Sequence, residues 1–176
     1  MRVLLHSCCG PCSTFPLGLL RSLGHQVDGV FVNPSIYPDS ELEKRWETYR
    51  HFAEQQNLAV RRLDIPHRDW ASFVARDPAK PGRCRLCYEF RLGTVAALAK
   101  SEGYDCFTTT LLVSVYQDHE GVREAGLSAA KAHGVPFMYQ DFRVGYRRSR
   151  EMARGQHLYM QKYCGCEFSL SERSLA

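Results

Sequence analysis

The chain has 176 residues, 44% of them hydrophobic and 24% charged, with a formal net charge of +4. That apolar share can form a full core without disulfide staples, and no run approaches the ~18–20 apolar residues of a membrane span. Val3–Leu5 is cut off by His6, far short of a signal peptide's apolar stretch, so the expectation is a cytoplasmic protein with no secretory leader.

Strands and helices are predicted to alternate along most of the chain. Val3–His6 reads as a first strand, then a loop bearing cysteines, then a helix from about Ser13 to Leu23 stopped by Gly24. Gln26–Val32 is a second strand. Asn33-Pro34 and Tyr37-Pro38 mark a turn, after which Asp39 or Ser40 caps a helix to about Asn57 with Leu42, Trp46, Tyr49 and Phe52 or Ala53 on one face. Ala59–Leu63 is a third strand and Trp70–Arg76 a short helix. A loop with Pro78 and Pro81 spans Asp77–Gly82, and Arg85–Lys100 is helical with Leu86, Phe90, Val95 and Leu98 inward. Asp105–Leu111 makes a fourth strand, Glu120–Ala132 a helix, and Pro136–Tyr139 a fifth strand.

This order implies an α/β fold. We expect a five-stranded, mostly parallel, Rossmann-like (HUP-like) sheet with helices on both faces, joined by right-handed crossovers. Residues 1–140 would form the core and 141–176 a basic, cysteine-containing helical appendage, all within a single domain. In such sheets ligands bind beyond the carboxyl ends of the strands where the strand order reverses. Cys8, Cys9 and Cys12 follow strand one, and Thr108–Ser114 end strand four, so both segments are expected at that rim. The helix opening near Ser13 would aim its positive end at the same spot, which favours thiolates.

Seven of the eight cysteines fall into three groups: Cys8, Cys9 and Cys12; Cys84 and Cys87; Cys164 and Cys166. Short-range thiolate pairs hold iron-sulfur clusters or zinc, or exchange disulfides. Cys8 and Cys9 with Cys84 and Cys87 supply four ligands for a cubane, and Cys9 with Cys12 is an alternative pair. A zinc site, or thiol exchange at Cys9-Gly10-Pro11-Cys12, uses the same residues. Cys164-Gly165-Cys166 can close only a small strained ring, suited to accepting and passing on two electrons. Cys106, inside strand four, reads as a buried inert thiol. Asp118, after strand four, and Asp141, after strand five, are candidate rim or acid groups, as is Cys12.

Between Asp141 and Tyr163 six cations, Arg143, Arg147, Arg148, Arg150, Arg154 and Lys162, face two acids. Tyr146, Tyr159 and Tyr163 are interleaved with them. Arginines among aromatic rings suit phosphates and unstacked bases, so Arg143, Tyr146, Arg147, Arg148 and Arg150 are candidate RNA contacts; a solvated helix face is the plainer alternative.

Five ordered motifs resemble the cobalamin-independent epoxyqueuosine reductases, the QueH family. They are H-S-C-C-G-P-C-S (His6–Ser13), R-C-R-L-C-Y-E-F-R-L (Arg83–Leu92), T-T-T-L-L-V-S (Thr108–Ser114), D-F-R-V-G-Y-R-R-S (Asp141–Ser149) and Y-C-G-C-E-F-S (Tyr163–Ser169). Val115 departs from an expected proline. The resemblance implies reduction of epoxyqueuosine to queuosine at the wobble position of tRNA, the last step of queuosine biosynthesis. It implies 4Fe-4S ligation by Cys8, Cys9, Cys84 and Cys87, and a redox-active disulfide between Cys164 and Cys166. The anticodon loop would be the partner and an external electron donor is required. A cubane with four protein ligands has no free iron for oxygen, so one ligand leaves, an additional iron assists, or the cluster only relays electrons. The rivals are a zinc- or iron-sulfur-containing RNA-binding module and a PP-loop-like tRNA thiolase; the latter needs an S-G-G-x-D-S loop where this chain has Ser7–Cys12.

Overall fold

A computed structural model describes residues 1–174. In chain order the elements are β1 (Arg2–His6), α1 (Gly10–Ser22), β2 (Gln26–Phe31), α2 (Asp39–Gln55), β3 (Val60–Arg62), α3 (His67–Val74), α4 (Gly82–Ser101), β4 (Cys106–Thr109), α5 (His119–His133), α6 (Tyr146–Gly155) and α7 (Glu167–Ser174). Turns of 3-10 helix cover Thr110–Val113 and Arg143–Gly145.

The strands pair in the order β3-β2-β1-β4, all parallel. β1 is central and reads as a continuous apolar run because both its faces are covered: Val3, Leu4 and Leu5 are fully buried. The chain leaves β1 towards β2 and β3, then returns to β1's other side as β4. The strand order therefore reverses between β1 and β4. With right-handed crossovers that reversal sends helices to both faces; α1 packs with α2 and α6, and α4 with α3 and α5.

The sheet has four strands, not five. Pro136–Tyr139 reaches β4 through a single parallel bridge, Phe107 to Phe137. Its two bonds are Phe107 N–H to Pro136 O at 3.0 Å and Met138 N–H to Phe107 O at 2.8 Å. Pro136 has no N–H to donate, and the segment passes directly into the turn at Arg143–Gly145, so the ladder stops after one rung.

Three helices, α1, α3 and α4, start three residues earlier than expected, and the shifts of α1 and α4 matter for the site. α1 opens at Gly10 with Pro11 in its first turn, where the missing N–H costs nothing, so Cys9 is its N-cap and Cys12 already helical. α4 opens at Gly82, which places Cys84 and Cys87 one turn apart on the helix. Asp39 is the first residue of α2 and Pro38 its N-cap, without a side-chain cap. The buried stripe of α2 contains Tyr49, Phe52 and Ala53 and also Arg45; that of α4 contains Tyr88, Leu92 and Val95 and also Arg91, while Leu86 and Phe90 are half-buried. After Asp141 the chain remains part of the core through Phe142, Ala153 and Leu158. Among the described residues no helix is long and apolar enough to cross a membrane.

Candidate active site

The first cysteines sit at the reversal point. Cys8 and Cys9 follow β1 directly, Cys12 lies in the first turn of α1, and the three sulfurs are all within 4.8 Å of one another. Cys8 Sγ is 3.7 Å from Cys9 Sγ, and the Thr110 hydroxyl, just past β4, accepts from Cys8 N–H at 3.1 Å and lies 3.4 Å from its sulfur. Hydrogen bonds from Cys12 and Cys9, outweighing burial, hold the Cys8 thiol well below the usual thiol range. Burial pushes Cys9 up, and hydrogen bonding to Cys8 raises Cys12. The trio thus localises its negative charge on Cys8, with the N-terminal end of α1 alongside. Gln161 donates to Cys9 Sγ at 2.9 Å, with Cys12 Sγ at 3.7 Å. Three soft donors at this spacing could hold a metal ion.

The C-terminal pair is pinned from α2. Arg45, buried inside the protein, donates from Nη1 to Cys164 O at 2.9 Å and from Nη2 to Tyr163 O at 3.1 Å. Its Nε donates to Glu41 at 2.7 Å, whose other oxygen accepts from Tyr159 Oη at 2.9 Å. The Tyr37 N–H bonds Gly165 O at 2.8 Å. Cys164 is exposed and accepts from Gln117 Nε2 at 3.4 Å; Gln117 Oε1 in turn accepts from Tyr88 Oη at 2.7 Å. Burial pushes Cys84 up to about 11, and negative charge on Cys164, Cys87 and Cys166 adds to it. The mid-chain pair thus stands within electrostatic reach of the C-terminal pair.

A cavity of about 700 Å³ joins these groups, its wall including Cys8, Cys12, Cys164, Arg45, Arg91 and Tyr146. Arg91 is buried and donates through Nη2 to Asn33 Oδ1, while its Nε has no partner. Its positive charge favours thiolate at Cys8; at Cys164 desolvation, which raises the thiol, outweighs it. Beside it His6, bonded to Thr109 Oγ1 at 2.8 Å, is lowered to about 3 by burial and then by Arg91.

The remaining expected residues divide. Asp118 caps α5, accepting from Gly121 N–H at 3.0 Å, and its other oxygen lies 3.4 Å from Arg85 Nε. Asp141 holds Arg143 at 2.6 Å and is lowered by it to about 2, so Arg143 is already neutralised. Among the described residues Arg147, Arg148 and Arg150 form no ion pair; Arg150 lines the cavity, 5.8 Å from the Tyr146 ring centroid. Sequence reasoning missed Arg45, Arg91, Gln117 and Gln161. For the two arginines a signal existed: each occupies the apolar phase of its helix, where a charge is unexpected.

Comparison with known proteins is consistent with this geometry. Residues 3–172 match the family described as Epoxyqueuosine reductase QueH. The chain belongs to the QueH family. Curated relatives carrying that description include one from Dehalococcoides mccartyi, 34% identical over 98% of this chain and 94% of its own length, and one from Thermotoga maritima, 35% identical over 97% and 91%. A Staphylococcus epidermidis relative is 30% identical over 99% of this chain and 78% of its own length. A solved structure of a predicted subunit of tRNA methyltransferase from Methanocaldococcus jannaschii superimposes with a TM-score of 0.64, covering 99% of this chain and 88% of that one. At 12% identity it shows a shared fold alone.

Proposed function

We propose that this chain reduces the epoxide of epoxyqueuosine, carried at the wobble position of tRNA, to the cyclopentene of queuosine. Besides family membership, one observation carries the reading: Cys8 and Cys12 from the reversal point and Cys164 from the C-terminal pair open onto one cavity with two buried arginines in its wall. A volume of about 700 Å³ lies within the usual range for small-molecule sites. The reaction belongs in the cytoplasm, where thiols stay reduced between turnovers.

We assign a 4Fe-4S cluster to Cys8, Cys9, Cys84 and Cys87. The donor chemistry fits: all four are soft sulfur ligands, Cys8 is poised as a thiolate, and the end of α1 and the Arg91 charge offset an anionic group. The tight spacing of Cys8, Cys9 and Cys12 supports a metal at this spot; Cys84 and Cys87 would complete the ligand set of the cluster. Such a cluster supplies one-electron transfer when bound.

The protein's own groups account for the rest of the balance. Loss of the epoxide oxygen as water, leaving an alkene, consumes two electrons and two protons; oxidation of the Cys164/Cys166 dithiol to a disulfide releases two of each, and an external two-electron donor restores the dithiol. Arg91, with its unpartnered Nε, places positive charge in the cavity where the C–O bond breaks. Of the three candidate acids only Cys12 lines the cavity: Asp118 is occupied capping α5, and Asp141 is held ionised by Arg143. Arg147, Arg148 and Arg150, with Tyr146, are assigned to the RNA, and Arg143 to a weaker part because Asp141 claims it. The test is a single turnover of anaerobically reduced, iron-loaded protein on tRNA bearing epoxyqueuosine, followed by nucleoside mass. Loss of one oxygen is expected; an unchanged mass overturns the reading.

A further inference from the structure

Beside the cavity the surface is unusually apolar for a region this basic. Tyr116 is 83% exposed and Val144 83%, with Val115 next to Tyr116. They sit on two segments in contact, the turn after Thr110–Val113 and the one at Arg143–Gly145. Both tyrosines of this patch, Tyr116 and Tyr146, also line the cavity, so the patch is its mouth.

The two rings differ in what they can offer. They meet edge to face, with centroids 6.0 Å apart and planes at 81°, so they cannot sandwich one flat ligand between them. Tyr146 is half-buried and has the Arg150 guanidinium over its ring. Tyr116 therefore presents the free face, with Tyr146 as its buttress. The loop beneath is fixed: the Tyr116 N–H bonds Ser114 Oγ at 3.2 Å, directly after a turn whose residues, Thr110 to Val113, are all buried. A solvent-facing aromatic ring suits a flat π-surface. Arg147 and Arg148, exposed and without ion pairs among the described residues, and the cavity-lining Arg150 surround it with uncompensated positive charge. Flat rings strung on a polyanion are the chemistry that matches both properties.

We infer that Tyr116, buttressed by Tyr146, is a stacking platform for one unpaired RNA base adjacent to the nucleotide that enters the cavity, with Arg147, Arg148 and Arg150 on the neighbouring phosphates. The inference rests on the tRNA reading above and adds to it a residue, Tyr116, to which that reading assigns no part. An everted nucleotide leaves a gap in its strand's stack, and unstacking is costly. A protein ring that holds the neighbouring base reduces that cost. Tyr116 would act on eversion and grip rather than on the reduction itself.

The experiment measures affinity for a synthetic, unmodified RNA stem-loop with the tRNA anticodon sequence, using wild type and the variants Tyr116→Phe, Tyr116→Trp, Tyr116→Leu and Tyr116→Ala. At 83% exposure none of these changes threatens folding. Stacking predicts that Phe and Trp retain wild-type affinity while Leu and Ala weaken it by roughly 5- to 150-fold, the usual range for one stacked base. Equal affinity for Ala and wild type overturns the platform and returns the face to a protein partner such as the electron donor; loss in Phe as severe as in Ala makes the hydroxyl, not the ring, the contact and also overturns it. Failure of the broader reading is separate, because it shows as absence of turnover by wild type on modified tRNA whatever these affinities are.

Discussion

At Gly165 the backbone takes φ +131°, and a side chain there would meet Arg45 Nη1 at 2.9 Å and Ile36 at 3.1 Å. Only glycine adopts that conformation at little cost, and only glycine leaves room for the guanidinium that fixes Cys164. Gly165→Ala is therefore expected to push the pair off Arg45, at a strain of about 1–3 kcal/mol, and to slow single-turnover reduction at least tenfold. The visible absorbance of the iron-loaded protein should stay unchanged, and a variant that turned over normally would remove the pair's need for this geometry. His6 supports a second prediction. Its folded pKa, about 3, lies below the ordinary 6.5, so the fold favours neutral imidazole; this stability is complete above pH 6.5 and is lost as pH falls from 6.5 towards 3. Between pH 7 and 4 the loss amounts to about 3 kcal/mol. In denaturant titrations at pH 7 and pH 4 the metal-free wild type should lose about 3 kcal/mol more stability than His6→Gln, and equal losses would deny the buried, uncharged state. Cysteine spacing was legible at this scale because thiol pairs are rare; His6 was not, because a single titratable residue carries no pattern, whereas Arg45 had a signal, its place in the apolar phase of α2, that went unread.

The element that organises the site is α4. Successive turns carry Cys84, Cys87 with Tyr88, and Arg91, so one helix supplies two thiols, the Tyr88 hydroxyl that holds Gln117, and the buried cation. The sequence showed the Pro78–Pro81 loop and a helix after it, but its start three residues early was hidden: Gly82 is a poor helix former, and only the folded chain shows its Cα lying against the Asp77 carboxylate. The fifth strand failed for a related reason, since its apolar residues fit a strand while Pro136 denies it a ladder. If α4 presents Cys84 and Cys87 to the same cluster as Cys8 and Cys9, then Cys84→Ser and Cys87→Ser should each cut iron and acid-labile sulfide in anaerobically purified protein severalfold, as should Cys8→Ser and Cys9→Ser. Cys164→Ser and Cys166→Ser should leave both contents near wild type. Iron retained in all four of the first set would dissolve the proposed cluster; iron lost in the second set would make the C-terminal pair ligands.

For the molecule as a whole, the reversal between β1 and β4 decides where chemistry can occur. It was readable from the alternation of elements, because β1 and β4 end in the two motifs, His6–Ser13 and Thr108–Ser114, that meet there. What could not be read was the return of the C-terminal segment, in which α6 packs on α1 and Arg45 grips the Cys164–Cys166 turn; these are contacts across more than a hundred residues with no local pattern. That return places the unpaired charge of α6 beside the cavity, and the charge should govern RNA affinity through counterion release. Every phosphate that is no longer neutralised reduces the slope of log affinity against log salt by about one unit. Replacing Arg147, Arg148 and Arg150 by glutamine together should therefore flatten the salt dependence of stem-loop binding by up to about three units, whereas Arg143→Gln, whose charge Asp141 already offsets, should change it far less. Fluorescence anisotropy across a salt series reads both slopes. A triple variant with the wild-type slope would place the RNA on another face, and an equal change from Arg143 alone would mean that its pairing with Asp141 breaks when RNA binds.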